Sequence, residues 1–152
     1  MDVKTILWPT DLSKSSIKAA PHVVDLAEKH GARVVVLYVG IDLCEYFPAY
    51  SNYPSQDEIR SFQSWELEKA KKDLETVCEK ELKACPNWEV KLLQGDAAGK
   101  ILELIKHENA DMVVLTSRGH GSENRPDRGT GLGSTAREVV EKSPVPVQVI
   151  KA

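Results

Sequence analysis

Short apolar runs alternate along this chain with longer segments whose apolar positions recur every three or four residues. The first run, Val3 to Trp8, is closed by Pro9 and reads as a strand. A turn, Thr10-Asp11-Leu12-Ser13, follows, with Ser13 placed to cap a helix. That helix is expected from Lys14 to His30, with Ile17, Ala20, Val24 and Ala27 on one face. Pro21 falls inside it and either kinks it or stands in the first turn of a restarted helix; Gly31 ends it. Arg33 to Val39 is the second strand, apolar enough to be covered on both faces. A third strand is expected from Trp88 to Leu93 and a fourth from Asp111 to Ser117, around the apolar run Met112 to Leu115. The last begins with Val145, Val147, Val149 and Ile150.

Between strands two and three lies an aperiodic excursion from Gly40 to Asp57. A long helix then runs from Gln56 or Asp57 to about Ala84, with Ile59, Phe62, Leu67, Ala70, Leu74, Val77, Cys78 and Leu82 inward, and Pro86 closes it. A shorter helix, Ala98 to Asn109, turns Ile101, Leu102, Leu104 and Ile105 to the core. The last helix opens at Gly133-Ser134-Thr135 and carries Ala136, Val139 and Val140, with Pro144 and Pro146 stopping it. Strands alternating with helices over the whole length predict an α/β fold. It is a single doubly wound, Rossmann-like parallel sheet with helices on both faces, one domain over residues 1–152. In such sheets ligands bind beyond the carboxyl ends of the strands, where the strand order reverses.

Composition narrows the function. The 152 residues are 41% hydrophobic and carry a net charge of −3, which suits one full-sized core and gives no electrostatic pull toward nucleic acid. No apolar run approaches the roughly 18–20 residues that span a bilayer, and the N-terminus lacks a signal-peptide core, so a cytoplasmic protein with no membrane partner is expected. Cys44, Cys78 and Cys85 are an odd number without CxxC spacing, which opposes a disulfide framework and a zinc site. Cys78 and Cys85, seven apart, are expected on one helical face as reduced thiols. His22, His30, His107 and His120 lack metal-ligand spacing.

The candidate chemistry lies after strand four. Residues Ser117 to Leu132 form a long loop holding Gly119, Gly121, Gly129 and Gly131 with Arg118, Arg125 and Arg128. A glycine-rich loop running into a helix N-terminus is suited to phosphate, because its backbone can approach closely and the first helical turn points unpaired N–H groups outward. Across the expected crevice stands Asp11, which serves either as a turn former or as a carboxylate for a ribose hydroxyl or adenine amino group. The first βα turn has no glycine, which excludes a dinucleotide fingerprint. There is no GxxxxGK[ST] and no GxSxG, which excludes a P-loop and a hydrolase elbow.

These residues resemble the universal stress protein family over essentially the whole chain. ILWPTDLS is similar to its first strand, VVVLYV to its second, LLQGDAAGKILELIKHENADMVVL to the span from third to fourth, and GSTAREVVEKSPVPVQVI to its closing helix and strand. The strand order that goes with the resemblance is 3-2-1-4-5. The family's ATP-binding branch carries G-x2-G-x9-G-[ST]. Here Thr116 stands at the first glycine, Gly119 at the second, and Gly133-Ser134 at the last, thirteen residues on instead of nine. The resemblance implies that Pro9, Thr10 and Asp11 line an adenosine pocket, that Val39 meets the adenine edge through its backbone, and that Leu115 and Thr116 floor the ribose. Arg118, Gly119, Gly133, Ser134 and Thr135 would hold the phosphates of ATP, bridged by Mg2+. It also implies a homodimer paired through the last strands, Val145 to Lys151. With no dedicated catalytic base or P-loop lysine, an ATP-holding protein of stress response or signalling is expected rather than an enzyme. The alternatives are a dimeric interaction module of the same family that binds no ATP and, third, an enzyme like the adenine-nucleotide α-hydrolases.

Overall fold

The computed structural model of the protein describes residues 2–40, 55–85, 87–117 and 132–151. The described elements are β1 (Thr5–Pro9), α1 (Lys14–Ile17), α2 (Ala20–His30), β2 (Arg33–Gly40), α3 (Gln56–Glu81), β3 (Trp88–Gln94), α4 (Ala97–His107), β4 (Met112–Thr116), α5 (Ser134–Lys142) and β5 (Val147–Ile150). The five strands form one parallel sheet of order β3-β2-β1-β4-β5, the Rossmann-like order expected. The excursion at 41–54, Cys44, Pro86 and most of the loop after strand four fall outside the described residues.

Period-two alternation on the strands sends side chains to two separate cores. Ile6, Trp8, Val34, Val36 and Val114 face a layer built from Ala20, Val23 and Ala27 of α2 and Leu74 and Cys78 of α3. Leu7, Val35, Leu37, Val113 and Leu115 face the opposite layer, where Ile101, Leu104 and Ile105 of α4 meet Ala136 and Val139 of α5. Because β1, β2 and β4 are covered on both sides, they read as apolar runs rather than alternating patterns.

The segment 14–30 is two helices, not one. Pro21 has no N–H to give to Ile17, four residues back, and α1 stops at Ile17. Pro21 then occupies the first turn of α2, where its missing donor removes nothing. Gly31 closes α2 in the left-handed conformation (φ 63°). Three further expectations are corrected. Phe62 is 50% exposed and stacks at 6.0 Å on Trp65 on the outer side of α3, with Lys69 Nζ 5.6 Å above the Trp65 ring. Val140, 41% exposed, lies on the outer side of α5. Cys85 lies beyond the end of α3 rather than on it, yet it is buried in the same core as Cys78, and both are free thiols.

The amino ends of the strands are tied by ions. The Arg33 guanidinium donates to Thr5 Oγ1 (3.1 Å), Glu89 Oε1 (2.7 Å) and Glu108 Oε2 (3.0 Å), while the Asp111 carboxylate accepts the backbone N–H groups of Lys4 and Thr5.

Candidate functional site

β1 is the switch point of the sheet. Its chain neighbour β2 lies on one side and β4 on the other, so the connections leave in opposite directions and part above β1 and β4. The paired register of these two strands is Ile6↔Met112 and Leu7↔Val113, while β1 runs on to Pro9 and β4 to Thr116. Most of the described residues singled out by sequence lie at or just beyond the carboxyl ends of these strands and at the start of α5.

On the β1 side, the Thr10 N–H donates to Leu37 O (2.8 Å), which carries the β1–β2 ladder one residue past Pro9. Thr10 is 6% exposed, and its hydroxyl oxygen accepts the Leu12 N–H (3.1 Å) and lies 2.7 Å from Ser16 Oγ. Asp11 Oδ1 accepts the Ser13 N–H (3.0 Å). Its turn-forming role is therefore real and coexists with partial exposure of the residue just beyond the end of β1. Leu12 takes φ 66°, a left-handed conformation uncommon for a residue with a Cβ. Ser13 caps α1 by accepting the Ser16 N–H (3.1 Å). Next to this turn, burial, followed by the charges of Glu66 and Asp11, raises the Tyr38 phenol above its ordinary pKa. Tyr38, near the end of β2, thus shares the electrostatic environment of the Asp11 carboxylate.

On the β4 side, the Ser117 N–H donates to Ile150 O (2.8 Å), and its carbonyl accepts the Gly133 N–H at 2.7 Å. That bond joins the residue where the chain leaves β4 to the residue where it enters α5, so the glycine- and arginine-rich loop is pinched at its base. Gly133 is the N-cap of α5 and contributes no side-chain cap, whereas Ser13, Ser55 and Asp96 close α1, α3 and α4 with their own oxygens. Its φ of −62° and ψ of 162° lie in the extended region open to any residue. The first intrahelical bond runs from Arg137 N to Gly133 O (2.9 Å), so the N–H groups of Ser134, Thr135 and Ala136 have no acceptor within α5.

The other expected residues fall as follows. Leu115 is 5% exposed and packs into the α4–α5 core, so it can meet a ligand only through its backbone. Val39 is half-buried at the end of β2 against the same layer, and Thr116 is half-buried at the end of β4. Arg118 and Gly119 lie outside the described residues. Sequence reasoning did not single out Leu12, Ser16 or Tyr38. The hydroxyl spacing 10-13-16 was visible, but nothing in it distinguished a buried web from a surface turn. Among the described residues, no group of three or more His, Cys, Asp or Glu side chains could hold a metal ion, and no helix is long and apolar enough to cross a membrane.

Comparison with known proteins agrees with this fold. The model of the universal stress protein family matches residues 2–151. The chain is 30% identical over 97% of its length to universal stress protein MJ0531 of Methanocaldococcus jannaschii, covering 82% of that protein. It is also 30% identical to a universal stress protein of Thermus aquaticus, covering 97% of this chain and 98% of that one. Among solved structures, universal stress protein UspA from Lactobacillus plantarum superposes with a TM-score of 0.82 at 26% identity, covering 99% of both chains. Two more distant structures of the same fold, each 20% identical over 99% of this chain, were solved with nucleotides. One is a universal stress protein in complex with cAMP (98% of that chain, TM-score 0.67), the other the Archaeoglobus fulgidus protein in complex with dAMP (100% of that chain, TM-score 0.65).

Proposed function

We propose that this chain, which belongs to the universal stress protein family, holds an adenine nucleotide, Mg-ATP, in the crevice between β1 and β4, as a ligand or signal rather than as a substrate. The observation that carries this reading is the Ser117–Gly133 hydrogen bond, which sets a helix N-terminus without a side-chain cap beside the end of β4. Three N–H groups and the positive end of the helix dipole together favour an anion there. Opposite it, the Asp11 carboxylate suits the hydroxyls or amino group of an adenosine and not its phosphates, so the two sides of the crevice discriminate the two ends of a nucleotide. The cAMP and dAMP complexes of distant relatives support an adenine nucleotide as the ligand class.

Mg2+ prefers octahedral oxygen ligands and keeps several of its waters. Asp11 is the one carboxylate among the candidate residues, so the ion would arrive with the phosphates rather than occupy a cage of protein side chains. Any hydrolysis would be slow, because no candidate residue is placed as a base for an attacking water. A second reading, a dimeric interaction module without nucleotide, is favoured by two features. Thr116 brings a Cβ to the position of a glycine in the ATP-binding pattern, and the outer edge of β5 has no partner strand among the described residues.

Titration calorimetry of the nucleotide-stripped protein with Mg-ATP, and separately with inorganic triphosphate, decides between them. Micromolar binding of Mg-ATP with weaker binding of triphosphate is expected. Absence of heat, together with an unshifted unfolding temperature in millimolar Mg-ATP, refutes the nucleotide reading and leaves the dimeric module.

A further inference from the structure

The first βα turn contains three hydroxyls, and the protons of two of them, Thr10 and Ser16, can be assigned. Ser16 Oγ lies 3.0 Å from Ser13 O and 2.7 Å from Thr10 Oγ1. A carbonyl oxygen has no proton, so Ser16 must be the donor to Ser13 O, and its single proton is committed there. The short Thr10–Ser16 contact then requires Thr10 to be the donor. Thr10 Oγ1 in turn accepts the Leu12 N–H. The chain of donors therefore runs Leu12 N–H to Thr10, Thr10 to Ser16, Ser16 to Ser13 O, and it ends in a helix backbone. Two consequences follow. Thr10 has no proton to offer a ligand, so its side chain acts as a lock rather than as a contact. Leu12 is held left-handed, a conformation its Cβ disfavours, by an N–H bond into that lock.

Asp11 sits between the two locked residues, with Oδ1 already bonded to the Ser13 N–H. We propose that Ser16, only 3% exposed, is a positioning residue for nucleotide recognition: by taking the Thr10 proton it holds the left-handed Leu12 turn and thereby fixes the Asp11 carboxylate toward the crevice. This inference rests on the nucleotide reading above. It makes Ser16 matter for the adenosine end of the ligand and not for the phosphate end, which is held by α5 on the other strand.

The test compares Mg-ATP and inorganic triphosphate by calorimetry for the full-length wild type, Ser16→Ala, Asp11→Ala and the double variant. Ser16→Ala is expected to weaken Mg-ATP by about tenfold, the effect of roughly one lost hydrogen bond, and to leave triphosphate unchanged. In the Asp11→Ala background it is expected to add nothing, because the group it positions is gone. Thr10→Val breaks the same bond from the other side and is expected to reproduce the loss, so a Ser16 variant that fails to fold does not end the test. Equal affinity of wild type and both hydroxyl variants overturns the inference, as does an equal loss for ATP and triphosphate or a full further loss in the Asp11→Ala background. A wild type that binds no nucleotide overturns the nucleotide reading itself, an outcome distinct from wild-type binding with an indifferent Ser16.

Discussion

Glu108 is the residue at which the stability of this fold can be separated from its binding. It follows α4 and accepts from Arg33 Nη2 at 3.0 Å through its carboxylate and at 3.3 Å through its backbone carbonyl, with Lys91 Nζ 3.5 Å away. The Arg33 side chain is 32% exposed and that of Glu108 12%, so the pair lies between surface and interior. The hydrogen bond from Arg33, aided by the Lys91 charge and opposed by burial, holds the Glu108 carboxyl below its ordinary pKa; the same bond raises Arg33. Glu108→Gln keeps the shape and one acceptor oxygen but removes the charge. A charged hydrogen bond contributes about 1.5–3 kcal/mol, and partial exposure of Arg33 reduces this to about 1–2 kcal/mol. For a chain of this size each kcal/mol shifts Tm by about 2–4 °C, which gives a loss of about 2–8 °C at pH 7.

The sign of the pH dependence is fixed by the direction of the shift. A carboxyl whose folded pKa is depressed contributes stability that is complete above its unfolded pKa, about 4.3, and that disappears as pH falls through the lower folded value. Calorimetric melts of wild type and Glu108→Gln are therefore expected to differ by a constant amount from pH 7 to about pH 5.5 and to draw together only as pH falls below about 4.3 and through the lower folded value. A gap that persists unchanged at pH 3, or that is absent at pH 7, refutes the assignment. Because Arg33 and Glu108 stand at the amino ends of the strands, Mg-ATP affinity in the variant is expected to be that of the wild type at a temperature where both are folded.

Two further expectations follow from the site and the core. Gly133→Val places a branched Cβ at the mouth of α5, where the backbone angles suit any residue; losing two charged N–H contacts, about 3–6 kcal/mol, should weaken Mg-ATP by at least about a hundredfold with an unshifted Tm in the absence of ligand, and an unchanged Kd would eliminate the helix N-terminus as the phosphate site. The Cys78 thiol is pushed up to about 12, chiefly by burial, and burial raises Cys85 too. In a Cys44→Ser variant neither thiol should react with Ellman's reagent at pH 8 until the protein unfolds, and rapid labelling of the native protein would contradict the packing of α3.

How much of this was legible in sequence depends on how local the determining physics is. β1, β2 and β4 are buried on both faces, so their apolar runs identified them, and the left-handed Gly31 and the Ser13 cap each announced a helix end. Pro21 left two alternatives open, and the geometry chose the restart because a missing N–H removes nothing in a first turn. Apolar spacing erred where a helix outruns its contacts. The 26 residues of α3 extend for about 39 Å at 1.5 Å per residue, longer than any strand it packs on. Its C-terminal half buries Leu74 and Cys78 completely, and its C-cap Leu82 is buried as fully, while near its N-terminal end Ile59 and Gln63 turn inward and Phe62 and Trp65 turn out. A hydrophobic residue one step off the buried stripe cannot be recognised as exposed without knowing where the sheet ends.

The candidate site shows the same division more sharply. Its α5 side was readable as a candidate anion site, because glycines before a helix start carry a meaning that is independent of the rest of the fold. Its Asp11 side was readable only as two competing roles, turn former or ligand, and the geometry retains the first without excluding the second: Oδ1 accepts the Ser13 N–H while the residue remains partly exposed just beyond the end of β1. What no pattern of residue types could supply is the conformation of Leu12. A leucine at φ 66° looks like any other apolar residue beside a turn. The strain is tolerable because Thr10, Ser13 and Ser16, three residues apart in each step, close a hydrogen-bonded web around it. Such a web is specified by tertiary burial: the same three hydroxyls on a solvated turn would bond to water and hold nothing. A strained residue kept in place beside a carboxylate, with the proton of every intervening bond accounted for, is the arrangement expected of a turn selected to hold Asp11 still.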